Sequence, residues 1–152
     1  MAEKNDFEEL PGVYIDSSAL AKLYVPEVES ELIEDYLRGR TDLMISELSV
    51  TEVISAVGRR RREGVLDAKK ASQIRDAVLS DARSGSFRRL DLSPGIHREA
   101  ERMLLSTESV PLRTLDALHI ALAISGEARH VLTFDGRMAE AAALHGLQVV
   151  EL

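Results

Sequence analysis

The sequence contains no cysteine and no tryptophan, and each absence excludes a kind of chemistry. Without cysteine, neither a disulfide bond nor a thiolate zinc site can hold the fold, and a cysteine nucleophile is excluded. Phenylalanine and tyrosine number three each, which is too few for base stacking to dominate recognition of a single-stranded nucleic acid. No apolar run reaches the roughly 18 residues that span a bilayer. The first dozen residues also lack the basic and apolar regions of a signal peptide, so we expect a cytoplasmic protein with no membrane contact.

Acidic residues outnumber basic ones by 26 to 19, which gives a net charge of −7. Proteins that bind nucleic acid usually carry a basic surface, so this charge argues against such a partner. If four of the acids form a metal site, however, leaving them out changes the net charge from −7 to −3. Two bound divalent cations would neutralise those four acids, so the overall charge says little about the local field.

The chain of 152 residues has the size of one compact domain. We expect a polar lead over residues 1–12 and a single domain over residues 13–152, because no linker or repeat interrupts the pattern. Short apolar runs, typical of strands, lie at 13–15, 43–45, 87–92, 131–134 and 147–150. Helical spacing or capping signals predict helices over 17–25, 27–37, 47–62, 67–83, from 93 onward, 114–125 and 138–145. This alternation predicts right-handed β-α-β connections and an α/β fold, with a central parallel sheet between two helical layers. The order of the strands stays open.

Two aspartates stand where predicted strands end. Asp16 follows the first apolar run, and Asp135 follows the run at 131–134. The carboxyl edge of an open parallel sheet is where ligands bind. Each aspartate also has a plainer explanation: Asp16 can cap a helix, although Ser17 or Ser18 could do the same, and Asp135 with the next glycine can form a turn.

Two further acids stand on predicted helices. Asp116 and His119 interrupt the otherwise apolar helix 114–125, and their spacing of three places them on one face. A buried carboxylate needs a partner, which a metal ion or Arg113 would supply; alternatively, Asp116 caps a helix that begins one turn later. Glu52 lies among small and apolar residues of the helix 47–62, which suggests an acid that points into a cleft, although an ordinary exposed glutamate is also open.

Together, these acids favour a site for a hard divalent cation. Clustered carboxylates suit Mg²⁺ or Mn²⁺, and softer metals would need thiolates or more imidazoles. Such a site lowers the pKa of a bound water and stabilises charge on a phosphate. Hydrolysis of a phosphodiester is the reaction that this pattern favours.

The segments that contain these acids resemble the PIN-domain nucleases, and especially the small VapC-type toxins of bacterial and archaeal toxin–antitoxin pairs. The matching segments are YIDSSALAKLY, SVTEVISAV, LRTLDALHIALA and VLTFDGRM. Their order and spacing fit from about Val13 to the end of the chain. The combination is specific, although no single motif is.

The resemblance implies a Mg²⁺- or Mn²⁺-dependent endoribonuclease that acts on RNA, forms a homodimer and is inhibited by a small antitoxin inserted into its acidic groove. It implies a metal site formed by Asp16, Glu52, Asp116 and Asp135. Ser17 and Thr133 are expected to support that site. We expect His119 to donate a hydrogen bond to Asp116 rather than to act as a catalyst.

Four consecutive arginines, Arg59, Arg60, Arg61 and Arg62, end the helix that carries Glu52. Cations at a helix C-terminus are favourable for electrostatic reasons alone, but the run could also steer RNA phosphates towards the groove.

Two other functions stay open at this stage. A phosphatase that forms an aspartyl-phosphate needs a second aspartate two residues after the first, where this chain has Ser18. A PIN-like protein that binds RNA without cutting it is the other alternative.

Overall fold

The fold is described from a computed structural model over residues 11–152, so most of the polar lead expected over 1–12 lies outside the described residues. Within 11–152 the chain forms five strands and seven helices. The strands are β1 (Val13–Ile15), β2 (Leu43–Ser46), β3 (Arg88–Leu90), β4 (His130–Leu132) and β5 (Gln148–Val149). The helices are α1 (Ser17–Tyr24), α2 (Ser30–Leu37), α3 (Glu47–Arg62), α4 (Ala68–Arg83), α5 (Pro94–Ser106), α6 (Thr114–Ser125) and α7 (Gly136–Leu144).

The strands form one sheet in the order β3-β2-β1-β4-β5, and every pairing is parallel. Parallel neighbours need crossover connections, and the helices between the strands provide them. Because β1 is central, all three of its residues are buried. The predicted α/β class with a parallel sheet is confirmed.

Alternate side chains of β1 serve two separate hydrophobic cores. Val13 and Ile15 pack on one face of the sheet with residues of α1 to α4. Tyr14 packs on the opposite face with residues of α5, α6 and α7. Successive side chains of a strand point to opposite faces, so this division follows from the period of two. The result is the three-layer α/β/α arrangement expected from the sequence.

Some predicted boundaries differ from the structure. The helix predicted from residue 27 begins only at Ser30, because the Ser30 hydroxyl accepts a hydrogen bond from the Glu27 amide and donates one to the Lys22 carbonyl. These bonds close a turn that delays the helix. Helix α7 begins at Gly136, two residues before its predicted start, because the Asp135 side chain caps it. The last strands are shorter than predicted, with β4 ending at Leu132.

The predicted stops of α3 and α4 are glycines in the left-handed region. Gly64 has φ 76° and Gly85 has φ 84°. Residues other than glycine rarely adopt this backbone conformation, which ends a helix by turning the chain away from its axis.

Among residues 11–152, no helix combines the length and apolarity that crossing a bilayer requires.

Candidate active site

All four predicted acids line one cavity of about 240 Å³ at the carboxyl edge of the sheet. Asp16 follows β1 and Asp135 lies between β4 and α7, whereas Glu52 lies on α3 and Asp116 on α6. The cavity is lined by Asp16, Ser17, Ser18, Glu52, Arg113, Thr114, Leu115, Asp116, His119 and Asp135. The structure therefore brings together side chains from points as far apart in sequence as residues 16 and 135.

Asp16 is buried and held by three hydrogen bonds. Its Oδ1 accepts from the Ala19 amide at 3.0 Å and from the Ser18 hydroxyl at 2.7 Å. Its Oδ2 accepts from the Thr133 hydroxyl at 2.5 Å. Burial raises the pKa of Asp16, and these hydrogen bonds oppose that rise. Asp16 is thus both the N-cap of α1 and a cavity residue, so the cap that Ser17 or Ser18 could also have provided is formed by Asp16.

Arg113 joins Asp116 and Asp135. Its Nε donates to Asp116 Oδ2 at 2.7 Å, and its Nη2 donates both to Asp116 Oδ1 at 3.0 Å and to Asp135 Oδ2 at 2.6 Å. Asp116 is only 6% exposed, so this forked contact compensates a buried charge. Asp116 lies within the first turn of α6, whose N-cap is Arg113, so the alternative that Asp116 caps a later helix is wrong.

Asp135 also caps a helix, because its Oδ1 accepts from the amides of Arg137 and Met138 at the start of α7. Burial would raise its pKa, but the hydrogen bond from Arg113 and those from the two amides outweigh burial and hold the pKa below the usual value. Asp135 therefore caps α7 and lines the cavity, and the alternative that it forms a turn with the next glycine is wrong, because Gly136 is the first residue of α7.

His119 contacts a different acid from the one predicted. Its Nε2 lies 2.5 Å from Glu52 Oε1, and its Nδ1 lies 2.7 Å from the Tyr14 hydroxyl. The expected hydrogen bond from His119 to Asp116 is therefore wrong. Asp116 and His119 both line the cavity, but Arg113 rather than His119 is the partner of Asp116.

The supporting residues differ in what they contact. Thr133 bridges two acids, because its hydroxyl donates to Asp16 and accepts from the Asp135 amide at 3.1 Å. Ser17 lines the cavity, but within residues 11–152 it is Ser18 whose hydroxyl binds Asp16. Ser18 was expected only as an alternative cap, and its position two residues after Asp16 was the one signal that could have identified it as a partner of that acid.

A larger cavity of about 620 Å³ adjoins the acidic one and shares Glu52 and Asp135 with it. Arg59 and Arg60 line this second cavity, whereas Arg61 and Arg62 are exposed and line neither. The Arg60 guanidinium pairs with Glu27 at 2.6 Å. The arginine run is therefore divided into two residues at the groove and two outside it. Three basic and three acidic side chains line this second cavity, which we call the larger groove.

The chemistry of the donor set fits a hard divalent cation, because four carboxylates line the cavity. Among residues 11–152, no three acid or histidine side chains stand close enough together to hold one ion as they are. Arg113, however, already serves as a shared cation between Asp116 and Asp135. The carboxylates of Asp116 and Asp135 therefore already share one cationic partner. Carboxylate oxygens are also the ligands that Mg²⁺ and Mn²⁺ prefer.

Comparisons with known proteins identify the family. The PIN domain family matches residues 13–144. The ribonuclease VapC46 of Mycobacterium tuberculosis is 34% identical over 143 residues, which cover 93% of this chain and 98% of that protein.

Two solved structures share the fold. The VapC20 toxin of Mycobacterium tuberculosis, described as cleaving the sarcin-ricin loop, superposes with a TM-score of 0.70 at 17% identity, covering 86% of this chain and 95% of that one. A toxin–antitoxin complex from Klebsiella pneumoniae gives a TM-score of 0.63 at 16% identity, with 92% and 97% covered. With a family match over most of its length and a VapC ribonuclease as a full-length relative, this chain belongs to the PIN domain family.

Proposed function

We propose that this chain is a divalent-metal-dependent endoribonuclease and the toxin of a type II toxin–antitoxin pair. The observation that carries the proposal is the convergence of Asp16, Glu52, Asp116 and Asp135 on one cavity. Like charges do not gather at a partly closed site unless a cation compensates them. The full-length relative that is named a ribonuclease supports the choice of RNA as substrate.

The carboxylates of the cavity have different roles in the proposed reaction. Asp116 and Asp135 would hold the cation in place of Arg113, and Asp16, fixed by its three hydrogen bonds, would complete the negative side of the cavity. A divalent cation held there supplies a water of lowered pKa and neutralises charge on the scissile phosphate. Glu52 lines the cavity with one carboxylate oxygen bonded to His119, and its other oxygen would take up a proton from the attacking water.

The larger groove would give the substrate a path to the carboxylates. Arg59 and Arg60 line it, about two helical turns along α3 from Glu52, which the groove shares with the acidic cavity together with Asp135. An RNA backbone laid along it would have a phosphate near the arginines and the scissile phosphate near the acids. Because aromatic residues number only six in the whole chain, contacts to the RNA backbone carry more of this recognition than base stacking does.

The same acidic cavity suits an antitoxin arginine, because a guanidinium can bridge two carboxylates and Arg113 already does so here. A solved toxin–antitoxin complex of the same fold supports a small protein partner of this kind. Homodimer formation, Mg²⁺ or Mn²⁺ as the metal, and a location in the cytoplasm complete the proposal; they are the properties that the family resemblance implies.

The proposed function is tested by replacing single carboxyl oxygens. Asp16→Asn and Asp116→Asn keep the side-chain shape, and each is expected to lower metal-dependent cleavage at least 100-fold, because the site loses a negative ligand. The assay incubates total bacterial RNA with protein and Mn²⁺ or Mg²⁺ and maps the new RNA ends by sequencing. Asp76→Asn, an exposed acid on α4 outside both cavities, is the matched control and should cut as the wild type does.

Folding of each variant is checked by circular dichroism. Full activity of Asp116→Asn, or RNA ends that appear equally in the presence of a chelator, would remove the metal-dependent mechanism. Binding of RNA by the wild type with no new ends at any metal concentration would favour the alternative of a PIN domain that binds RNA without cutting it.

A further inference from the structure

A chain of buried hydrogen bonds runs beneath the acidic cavity and ends on Glu52. It begins at Tyr14 in the centre of β1, which is 0% exposed, and passes through His119 of α6, which is 3% exposed. The Tyr14 hydroxyl lies 2.7 Å from His119 Nδ1, and His119 Nε2 lies 2.5 Å from Glu52 Oε1. Three separate elements, β1, α6 and α3, therefore meet through polar atoms in an otherwise apolar region.

The protons along this chain can be placed so that each bond has a donor. Glu52 as a carboxylate only accepts, so His119 Nε2 must carry a proton. In a neutral imidazole Nδ1 then accepts, and the Tyr14 hydroxyl is the group in contact that can donate to it. Burial raises the pKa of Tyr14, so its hydroxyl keeps its proton.

The hydroxyl oxygen of Tyr14 also contacts a serine that can donate a hydrogen bond to it. It lies 2.8 Å from the Ser46 hydroxyl, which is free to donate because it accepts from the Ser49 amide. The Ser49 hydroxyl donates to the Ile15 carbonyl at 3.2 Å. Ser46 and Tyr14 thus each both donate and accept, and a buried network whose hydroxyls are satisfied holds its members in one arrangement.

The orientation of the Glu52 side chain depends on a single hydrogen bond, whereas each of the other three acids has several. Asp16 and Asp135 are fixed by backbone amides, and Asp116 is fixed by the fork of Arg113. Among the hydrogen bonds of residues 11–152, Glu52 has only the one from His119, and its side chain is 26% exposed. A glutamate with several free torsions would otherwise sample many orientations.

We propose that Tyr14 and His119 are positioning residues for Glu52: the Tyr14 hydroxyl fixes the His119 tautomer with the proton on Nε2, and His119 holds the Glu52 carboxylate towards the cavity. This rests on the proposed function, because it assigns Glu52 a task in the nuclease site. Tyr14 is fully buried and lines neither cavity. His119 borders the acidic cavity, but it is only 3% exposed and both of its ring nitrogens are engaged with Tyr14 and Glu52. Tyr14 and His119 act through Glu52, as residues behind a metal site commonly do.

The test uses variants that separate the donor from the packing. His119→Gln keeps an N–H donor near the position of Nε2, whereas His119→Leu removes it. Binding of Mn²⁺ alone to the intact protein is measured by isothermal titration calorimetry, and cleavage is measured on the RNA segment found by end mapping. We expect His119→Leu to lose about 10- to 100-fold in Mn²⁺ affinity or in kcat, as such replacements usually do, and His119→Gln to recover most of that loss.

Tyr14→Phe keeps the ring in the core and removes only the hydroxyl. As a single substitution, Tyr14→Phe is expected to lower Mn²⁺ affinity or kcat about tenfold, because His119 then loses the donor that fixes its tautomer. In the His119→Gln background it should have no further effect, because the imidazole Nδ1 that contacts the Tyr14 hydroxyl is absent. A merely structural role for Tyr14 predicts the same loss in both backgrounds, so the double-mutant comparison decides between the two roles.

The outcomes separate this proposal from the proposed function. If His119→Leu folds and retains wild-type Mn²⁺ affinity and kcat while Asp116→Asn is inactive, positioning by His119 is wrong and the nuclease stands. An equal loss from Tyr14→Phe in both backgrounds also overturns the tautomer role. If Asp116→Asn is fully active, the proposed function fails first. Should His119→Leu not fold, the comparison of His119→Gln with and without Tyr14→Phe decides the question.

Discussion

At the scale of single residues, the four carboxylates of this protein are held in four different ways. Asp16 is bonded by two hydroxyls and an amide, Asp135 by two amides and a guanidinium, Asp116 by that guanidinium, and Glu52 by an imidazole. Only one of these partners, Arg113, carries a permanent positive charge. The balance of charge in the cavity therefore depends on a single side chain, which is 44% exposed.

Arg113 should compete with a metal ion for Asp116 and Asp135. Arg113→Gln removes the charge and keeps part of the side chain, so we expect Mn²⁺ to bind about tenfold more tightly, as the loss of a charge-assisted hydrogen bond would suggest. Without metal the same variant should unfold at a lower denaturant concentration, because Asp116 is left buried without its partner. Calorimetric titration and urea unfolding measure the two effects.

Arg98→Gln, which removes an exposed arginine of α5 outside both cavities, is the control for the change in net charge. Weaker Mn²⁺ binding in Arg113→Gln would contradict competition and show that Arg113 instead keeps the two aspartates in place for the metal.

The four acids of the cavity could be predicted from the sequence, but the residues that bind them could not. Spacing of three on a helix puts both Arg113 and His119 near Asp116, since one lies three residues before it and the other three residues after. Which of them binds Asp116 depends on what α6 packs against. Tyr14 and Glu52, which come from distant parts of the chain, turn His119 away from Asp116. No local pattern contains that information.

At the scale of elements, helix ends followed local signals closely. Helices α3 and α6 have the bounds predicted from their periodic spacing and breakers, Glu47–Arg62 and Thr114–Ser125. The start of α2 was missed because the side chain of Ser30 forms a turn with residues that precede it, and such side-chain bonds compete with helix formation. Strand ends were overestimated because β-propensity does not say where a neighbouring strand stops pairing.

The start of α4 offers a test of one such local signal. Asp67 caps this helix, and its Oδ1 accepts from the Lys70 amide at 2.7 Å. Asp67→Ala should lower the free energy of unfolding by about 1 kcal/mol, because an amide at the helix start loses its acceptor. Urea unfolding measures the change, and RNA cleavage should stay at the wild-type level because Asp67 lines neither cavity. Asp67→Ser retains a capping oxygen, so a loss as large as that of alanine would contradict the capping explanation.

At the scale of the whole molecule, the sheet order β3-β2-β1-β4-β5 is what brings the acids together. Strand β1 pairs with both β2 and β4, so the chain leaves the sheet at Asp16 beside Thr133 and close to the start of α3. The class of fold followed from alternating strands and helices, but this order did not, because it is fixed by packing between distant segments. The convergence of the acids was therefore an expectation that only the three-dimensional arrangement could test.

The overall charge of −7 is not spread evenly over the two adjoining cavities. Four acids and Arg113 line the smaller cavity, whereas the larger one is lined by three basic and three acidic side chains, namely Lys22, Arg59, Arg60, Glu27, Glu52 and Asp135. Arg60 is partly neutralised by Glu27, whereas Arg59 is exposed. Arg59 is therefore the member of the arginine run best placed to contact an RNA phosphate.

Arg59→Ala is expected to weaken RNA binding several-fold at physiological salt and to reduce the slope of log affinity against log salt by about 0.7, the value for one phosphate contact of a single strand. Arg62→Ala makes the same change in charge on the same helix but outside both cavities, and should change binding little. Affinity is measured by fluorescence anisotropy over a range of KCl concentrations, in the inactive Asp116→Asn background, with the RNA segment that the wild type cuts. Equal losses from Arg59→Ala and Arg62→Ala would mean that the helix end attracts RNA through its total charge, and that the groove does not guide the strand towards the carboxylates.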